Sequence, residues 1–132
     1  MNPHFIYNSL NSIQALVADK KNSEAIKYIG SFSGLLRRVL EHSDKKVITL
    51  EKELETLRLY IQLESLRLDM RLRYYESISE EIVTEYEKIP PLLLQPFVEN
   101  ALWHGLSQKE GDKILELSIT IDPEWLICNI KD

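Results

Sequence analysis

The sequence predicts an α+β fold, helical through its first half and mixed in its second, on three observations. Apolar residues recur at spacings of three and four from Phe5 to Leu40, and again from Leu50 to Leu66. Leu115, Leu117, Ile119 and Ile121 alternate with Glu116, Ser118 and Thr120, the pattern of a half-buried strand. Between these regions, Pro90-Pro91 and Gly105 bracket one further helical segment.

Residues 4 to about 42 read as helical, with apolar positions at Phe5, Ile6, Leu10, Ile13, Leu16 and Val17, then Ile26, Ile29, Phe32, Leu35, Leu36, Val39 and Leu40. The polar run Asp19-Lys20-Lys21-Asn22-Ser23 interrupts the stripe, either as a solvated helix face or as a short break. Gly30 and Gly34 are further points at which the element could bend. A loop follows at residues 42–46. Thr49 is placed to cap the next helix, with Glu51 and Glu53 complementing its positive end. Leu50, Leu54, Leu57 and Ile61 form one stripe, which Leu63, Leu66 and Met70 continue with a drift. Two long amphipathic helices joined by a short loop predict an antiparallel hairpin. A lone hairpin buries its stripe poorly, so the expectation is a homodimer forming a four-helix bundle.

After Arg71 the pattern changes. Leu72, Tyr74 and Ile78 predict a strand, and residues 82–86 a second, short extended piece. The helix ending at Gly105 comes next. The alternating strand then meets the turn Asp122-Pro123-Glu124, and Trp125 to Ile130 returns as a hairpin partner. The two parts are expected to divide at residues 1–70 and 71–132.

Composition limits the function. With 44% hydrophobic and 28% charged residues, the 132-residue chain has the make-up of a folded domain or two small ones. A net charge of −5 argues against nonspecific nucleic-acid binding and against a polybasic membrane-surface module. No apolar run approaches the ~18 residues of a spanning helix, and no signal peptide is visible. The single Cys128 has no partner for an internal disulfide and reads as a packed strand residue in a reducing compartment.

Two segments carry chemistry. The first is Asn2-Pro3-His4-Phe5-Ile6-Tyr7-Asn8-Ser9-Leu10-Asn11. His4 falls in the first helical turn after a proline, which is favoured there because its missing donor is not needed. An imidazole so placed projects from the helix start, and its neutral form is a nucleophile. Asn8, four residues on, shares its face and is placed to orient the ring or a water molecule. The second segment is Leu94-Gln95-Pro96-Phe97-Val98-Glu99-Asn100-Ala101-Leu102-Trp103-His104-Gly105. At ~100° per residue, Phe97, Val98, Ala101 and Leu102 face one way, while Glu99, Asn100, Trp103 and His104 face the other. The Asn100 amide is a neutral oxygen ligand suited to Mg²⁺. Glu99 is placed to polarise a nucleophile, and His104 to donate to a phosphate.

Together these segments resemble the sensor histidine kinases of the LytS type. The Asn-Pro-His-Phe stretch with Asn8 and Leu10-Asn11 is similar to the family's phosphoacceptor motif, with Ile6-Tyr7 where the family often has Leu-Phe. Residues Pro90 to Gly105 resemble the N box of the GHKL ATPase fold in its LytS-type form, with Trp103 where Lys is common. The stretch from Leu50 through Tyr60-Ile61 to Arg67-Leu68 resembles the family's segment between the two boxes. The resemblance implies a dimerising helical region followed by a partial GHKL-type α/β sandwich. It implies ATP and Mg²⁺ as cofactors, with His4 as phosphoryl acceptor, Glu99 as its base, Asn100 on Mg²⁺ and His104 near the phosphates. It makes Asp132 the adenine-reading Asp of an Asp-x-Gly motif.

The implied partner is a response regulator, whose aspartate takes the phosphoryl group. The implied setting is the cytoplasmic region of an inner-membrane sensor, without membrane contact by this segment. The chain carries no glycine-rich phosphate loop, its four glycines being scattered. The expectation is therefore a chain cut short at Asp132 and preceded by further sequence, binding ATP weakly at most and inactive alone. Two other readings stand beside this one. One is a non-catalytic dimeric helical interaction module; the other is an ATPase of the same superfamily acting on a partner's serine. The spacing of His4, His42 and His104 matches no metal-ligand pattern.

Overall fold

The computed structural model describes residues 3–68 and 71–132, with the side chain of Ser107 outside that description. Asn2 of the first motif and Met70 of the apolar stripe lie outside the described residues. Three helices open the chain: α1 (Pro3–Ala18), α2 (Asn22–His42) and α3 (Leu50–Arg67), the last preceded by β1 (Ile48–Thr49). Then come β2 (Leu72–Ile78), β3 (Lys88–Ile89), α4 (Gln95–Asn100), β4 (Lys113–Ile121) and β5 (Leu126–Lys131). The architecture is mixed helix and strand, as the periodicities predict.

The first long helix is two helices. The polar run is a break, closed by Lys21 N–H donating to the Leu16 carbonyl at 2.8 Å with Lys20 at φ +60°. Only Lys20 takes the left-handed conformation there, and a polar, solvated stretch has no packing that would keep the helix going. Beyond it, α2 runs through Gly30 and Gly34 without interruption. The helical region is thus three packed helices in place of a two-helix hairpin.

Thr49 caps α3 as expected, its Oγ1 accepting from Lys52 N–H at 3.2 Å. Leu50, Leu54, Leu57, Ile61 and Leu63 are buried along α3, each contributing about 1.5–3 kcal/mol of transfer free energy. Leu66 departs from the expected stripe at 59% exposed, because the last turn of α3 faces an open cleft shared with Leu16 and Tyr28. Residues 82–86 form turns and not the extended piece expected, with Ile82 N–H bonded to the Ser79 carbonyl and Tyr86 N–H to that of Val83. Here the start of α3 supplies partners that a strand would otherwise need. Glu51 N–H donates to the Thr84 carbonyl, Leu50 N–H to that of Glu87, and the Thr84 hydroxyl to Glu51 Oε2 at 2.8 Å.

The main sheet has the order β2-β4-β5, and β1 pairs with β3 in a separate two-stranded ladder. β2 and β4 are parallel, from Leu72 beside Lys113 to Ile78 beside Ile119, so the connection between them must cross over, and it carries α4. β4 and β5 form the predicted hairpin, closed by Asp122 Oδ1 accepting from Glu124 and Trp125 N–H. Leu115, Leu117 and Ile119 point from β4 into one continuous apolar cluster with Val98, Leu102 and Leu106. The same cluster takes in Leu54, Leu57 and Phe5, so the helices and the sheet share a core. Cys128 is half-buried on β5, where burial pushes its thiol up.

Candidate active site

Phe5 fixes the first turn of α1. It is 4% exposed, with its ring 5.2 Å from that of Tyr60 on α3 and 6.0 Å from that of Phe32 on α2. Tilted aromatic contacts of this kind favour one ring arrangement. Adjacent to this anchor, His4 stands at the exposed start of the helix, and Asn8 is half-buried one turn on.

Across from them runs the helix of residues 95–105. Val98 and Leu102 are fully buried and seat it on the sheet. Phe97, placed on that apolar face by the sequence, is instead 60% exposed beside Leu93, Leu126 and Ile130. Gln95 takes a buried position, and its Nε2 donates to Glu99 Oε1 at 3.2 Å. After Asn100 the helix widens into a π turn at Ala101–Gly105, a feature that recurs at functional sites. The wider turn departs from the ~100° spacing on which the sequence reading of this face rests.

His4, Asn8, Glu99, Asn100 and His104 line one cavity of about 410 Å³, together with Phe5, Tyr60 and Trp103. Five of the six residues singled out from the sequence therefore meet. The sixth, Asp132, lines a different groove, beside Leu94, Phe97 and Ala101. Its carboxylate lies against Gly105, where any added Cβ would collide with it. The missing Cβ at that glycine leaves the space that the Asp132 carboxylate occupies.

Beneath the cavity is a connected set of polar groups that the sequence reading did not single out. Glu64 is fully buried and accepts two hydrogen bonds from Arg67, at 2.8 and 3.0 Å, and one from the Tyr60 hydroxyl at 3.4 Å. The Arg67 guanidinium lies over the Trp103 ring, and the Trp103 indole hydrogen-bonds to Tyr60. Burial, then Glu64 and Glu99, holds the Tyr60 hydroxyl far above the usual phenol range, so it is a neutral donor at any working pH. A second buried carboxylate, Glu53, accepts the backbone N–H groups of Leu92 and Leu94. The signal for both was present: Glu53 and Glu64 fall on the Leu50–Leu54–Leu57–Ile61 stripe, where carboxylates are rarely found unless they are partnered.

Among the described residues no group of three or more His, Cys, Asp or Glu side chains is arranged to hold a metal ion. The exposed Asn100 amide offers one neutral oxygen at the cavity, a donor that suits Mg²⁺ completed by phosphate and water oxygens.

A family model described as histidine kinase matches residues 1–72, more than half of the chain, and the chain belongs to that family. Its similarity to curated proteins places it with the LytS-type sensor kinases. It is 31% identical to the sensor histidine kinase BtsS of Escherichia coli (strain K12), covering 100% of this chain and 23% of that protein. It is 33% identical to the sensor protein LytS of Staphylococcus haemolyticus, over 100% of this chain and 22% of the relative. It is 34% identical to the sensor histidine kinase YesM of Bacillus subtilis, over 80% and 18%. The chain thus spans less than a quarter of the length of these relatives. No helix among its described residues is long and apolar enough to cross a membrane.

Proposed function

We propose that this chain is the phosphoacceptor region and the first part of the ATP-binding region of a two-component sensor histidine kinase. The observation that carries the reading is the single cavity lined by His4 and Asn8 from one motif and by Glu99, Asn100 and His104 from the other. In this reading a neutral imidazole nitrogen of His4 attacks the terminal phosphorus of ATP. An N–P bond forms, the bond to the bridging oxygen breaks, and ADP leaves. The ring's other proton passes to Glu99, which Gln95 holds in place. Asn8 orients the ring, Asn100 gives Mg²⁺ its protein oxygen, and His104 donates to phosphate. Asp132, in its separate groove, serves the adenine end. The phosphoryl group then moves to an aspartate of a response regulator.

The GHKL-type sandwich and the division at residues 1–70 and 71–132 belong to the same proposal. So does a homodimer, which the apolar positions left exposed on α1 and α2 support: Tyr7, Leu10 and Val17 on the first, Ile26, Ile29 and Leu40 on the second. The setting proposed is the cytoplasmic side of a membrane-bound sensor. By itself the 132-residue chain, without a glycine-rich loop, binds ATP weakly and does not label itself.

The test is made in the longer kinase that contains this chain. Fed labelled ATP, it acquires acid-labile label, and His4→Ala abolishes it. Label that survives in His4→Ala overturns the reading.

A further inference from the structure

We propose that Glu53 is a positioning residue for this reaction, one that fastens the helix bearing Glu99 and Asn100 to the platform on which His4 also stands. The inference rests on the functional reading above. Glu53 is 2% exposed on α3, and both of its carboxylate oxygens are used. Oε1 accepts the Leu92 N–H at 3.0 Å, and Oε2 accepts the Leu94 N–H at 3.2 Å. Charge-assisted bonds of a buried carboxylate to backbone N–H groups are among the stronger hydrogen bonds a fold makes.

The turn that Glu53 grips is not one the chain would adopt unaided. Leu92 has φ +59°, a left-handed conformation that a branched side chain avoids and that persists only where its surroundings over-determine it. Pro91 and Pro96 flank the turn and contribute no N–H of their own, so Leu92 to Gln95 carry all of its backbone donors. Leu94 passes directly into α4, its carbonyl accepting the Val98 N–H at 3.2 Å. Whatever fixes residues 92–94 therefore fixes where α4 begins.

The same α3 carries Tyr60, on which Phe5 seats the first turn of α1 beside His4. It also carries Arg67, which meets Trp103 near the far end of the site helix. Glu53 and Arg67 are separated by roughly 21 Å of α3 at ~1.5 Å per residue, and they hold the site helix near its two ends. The placement of Glu99 relative to His4 is thus set through α3, and Glu53 is the fastening at the end where the backbone is strained. A carboxylate suits the position because it offers two acceptors and no donor. Glu53→Gln would turn an amide NH₂ toward one of the two N–H groups.

Two measurements on Glu53→Gln test this. In the 132-residue chain, amide hydrogen exchange at Leu92 and Leu94 is expected to rise at least 100-fold, while exchange at Leu57 within α3 changes less than threefold. In the longer kinase, the rate of His4 phosphorylation at saturating ATP is expected to fall at least tenfold, with the Kd for ATP held within twofold. That split separates positioning from simple loss of structure. Unchanged exchange overturns the proposal, as does raised exchange with an unchanged rate, or a loss of ATP affinity that accounts for the whole rate effect. If Glu53→Gln does not fold, the double variant with Leu92→Gly, which takes the left-handed φ without strain, carries the same criteria against Leu92→Gly alone, with exchange read at Leu94. Label persisting in His4→Ala would instead refute the functional reading, and the exchange result would still report whether Glu53 holds the turn.

Discussion

The Arg67 guanidinium carbon lies 4.5 Å from the centroid of the Trp103 ring, joining the last turn of α3 to the π turn of the site helix. The same guanidinium neutralises Glu64, whose side chain is wholly buried. A carboxylate in that position without its cation is the costly case for a buried ion pair. Arg67→Ala is expected to destabilise the chain by about 3 kcal/mol or more. Replacing both partners, with Glu64→Leu added, is expected to recover most of the loss. Urea unfolding of the two variants beside the parent chain checks this, and equal stabilities for the single and the double variant would contradict it.

Phe5→Ala removes a ring packed between Phe32 and Tyr60 at a position with 4% exposure. Large-to-small changes at such sites cost about 3–5 kcal/mol. The expected outcome is a loss in that range by denaturant titration. With it should come increased motion at Asn8, visible as line broadening of its side-chain amide.

Gly105→Ala places a methyl where the Asp132 carboxylate now lies. The group that must move is the end of an exposed side chain, so stability is expected to change by less than about 1 kcal/mol. What changes is the position of the carboxylate. Under the role proposed for Asp132, the longer kinase is expected to bind ATP more weakly, and Asp132→Ala added to Gly105→Ala is expected to weaken it no further. A double-mutant cycle by calorimetry measures that coupling; additive effects would show the two residues to act independently.

His42 is buried at the end of α2, with its Nδ1 unpartnered among the described residues. Burial first, then Lys45 and Lys52, hold its imidazole below the ordinary value of 6.5, against the opposing influence of Glu53 and Glu41. The unfolded chain therefore takes up a proton before the folded one does. The stability this group contributes is complete above pH ~6.5 and is lost as pH falls through the folded-state value. His42→Leu is expected to flatten the decline in unfolding free energy between pH 7.5 and pH 5. A decline of unchanged slope would assign it to other groups.

Glu99→Gln keeps the shape of the site and the bond from Gln95 while removing the basic oxygen. If Glu99 is the base proposed above, the phosphorylation rate of the longer kinase is expected to fall about 10²- to 10⁴-fold, the usual contribution of a general base, with ATP affinity little changed. Rapid-quench labelling at saturating ATP gives the number.

Much of this was legible because local rules decide it. The period of three to four places Leu50, Leu54, Leu57 and Ile61 inside, and the alternation along β4 buries Leu115, Leu117 and Ile119, whatever the rest of the chain does. The Thr49 cap depends on four neighbouring residues, and it formed as read. The failures lie where distant partners intervene. Residues 82–86 have a strand-like composition, yet the first turn of α3 takes up their backbone groups and bends them. Phe97 sits on the apolar side of an ideal wheel, but the helix is only six residues long before it widens, and its seat on the sheet is taken by Val98 and Leu102.

By itself the sequence determined most of the helical stretches, the closing hairpin and the two motifs, and it put forward His4, Asn8, Glu99, Asn100, His104 and Asp132 as candidate site residues. Those features depend on spacing and side-chain chemistry within a few turns of backbone. Only the tertiary structure decided that both motifs line one cavity, that Asp132 stands apart against Gly105, and that Glu53 accepts the backbone N–H groups of the turn ahead of the site helix. A buried carboxylate is tolerated only when its partners arrive; those of Glu53 come from the 92–94 turn, some 40 residues downstream, whereas Glu64 meets Tyr60 and Arg67 one turn either side on its own helix. No local pattern states that the 92–94 turn will bring its N–H groups to Glu53.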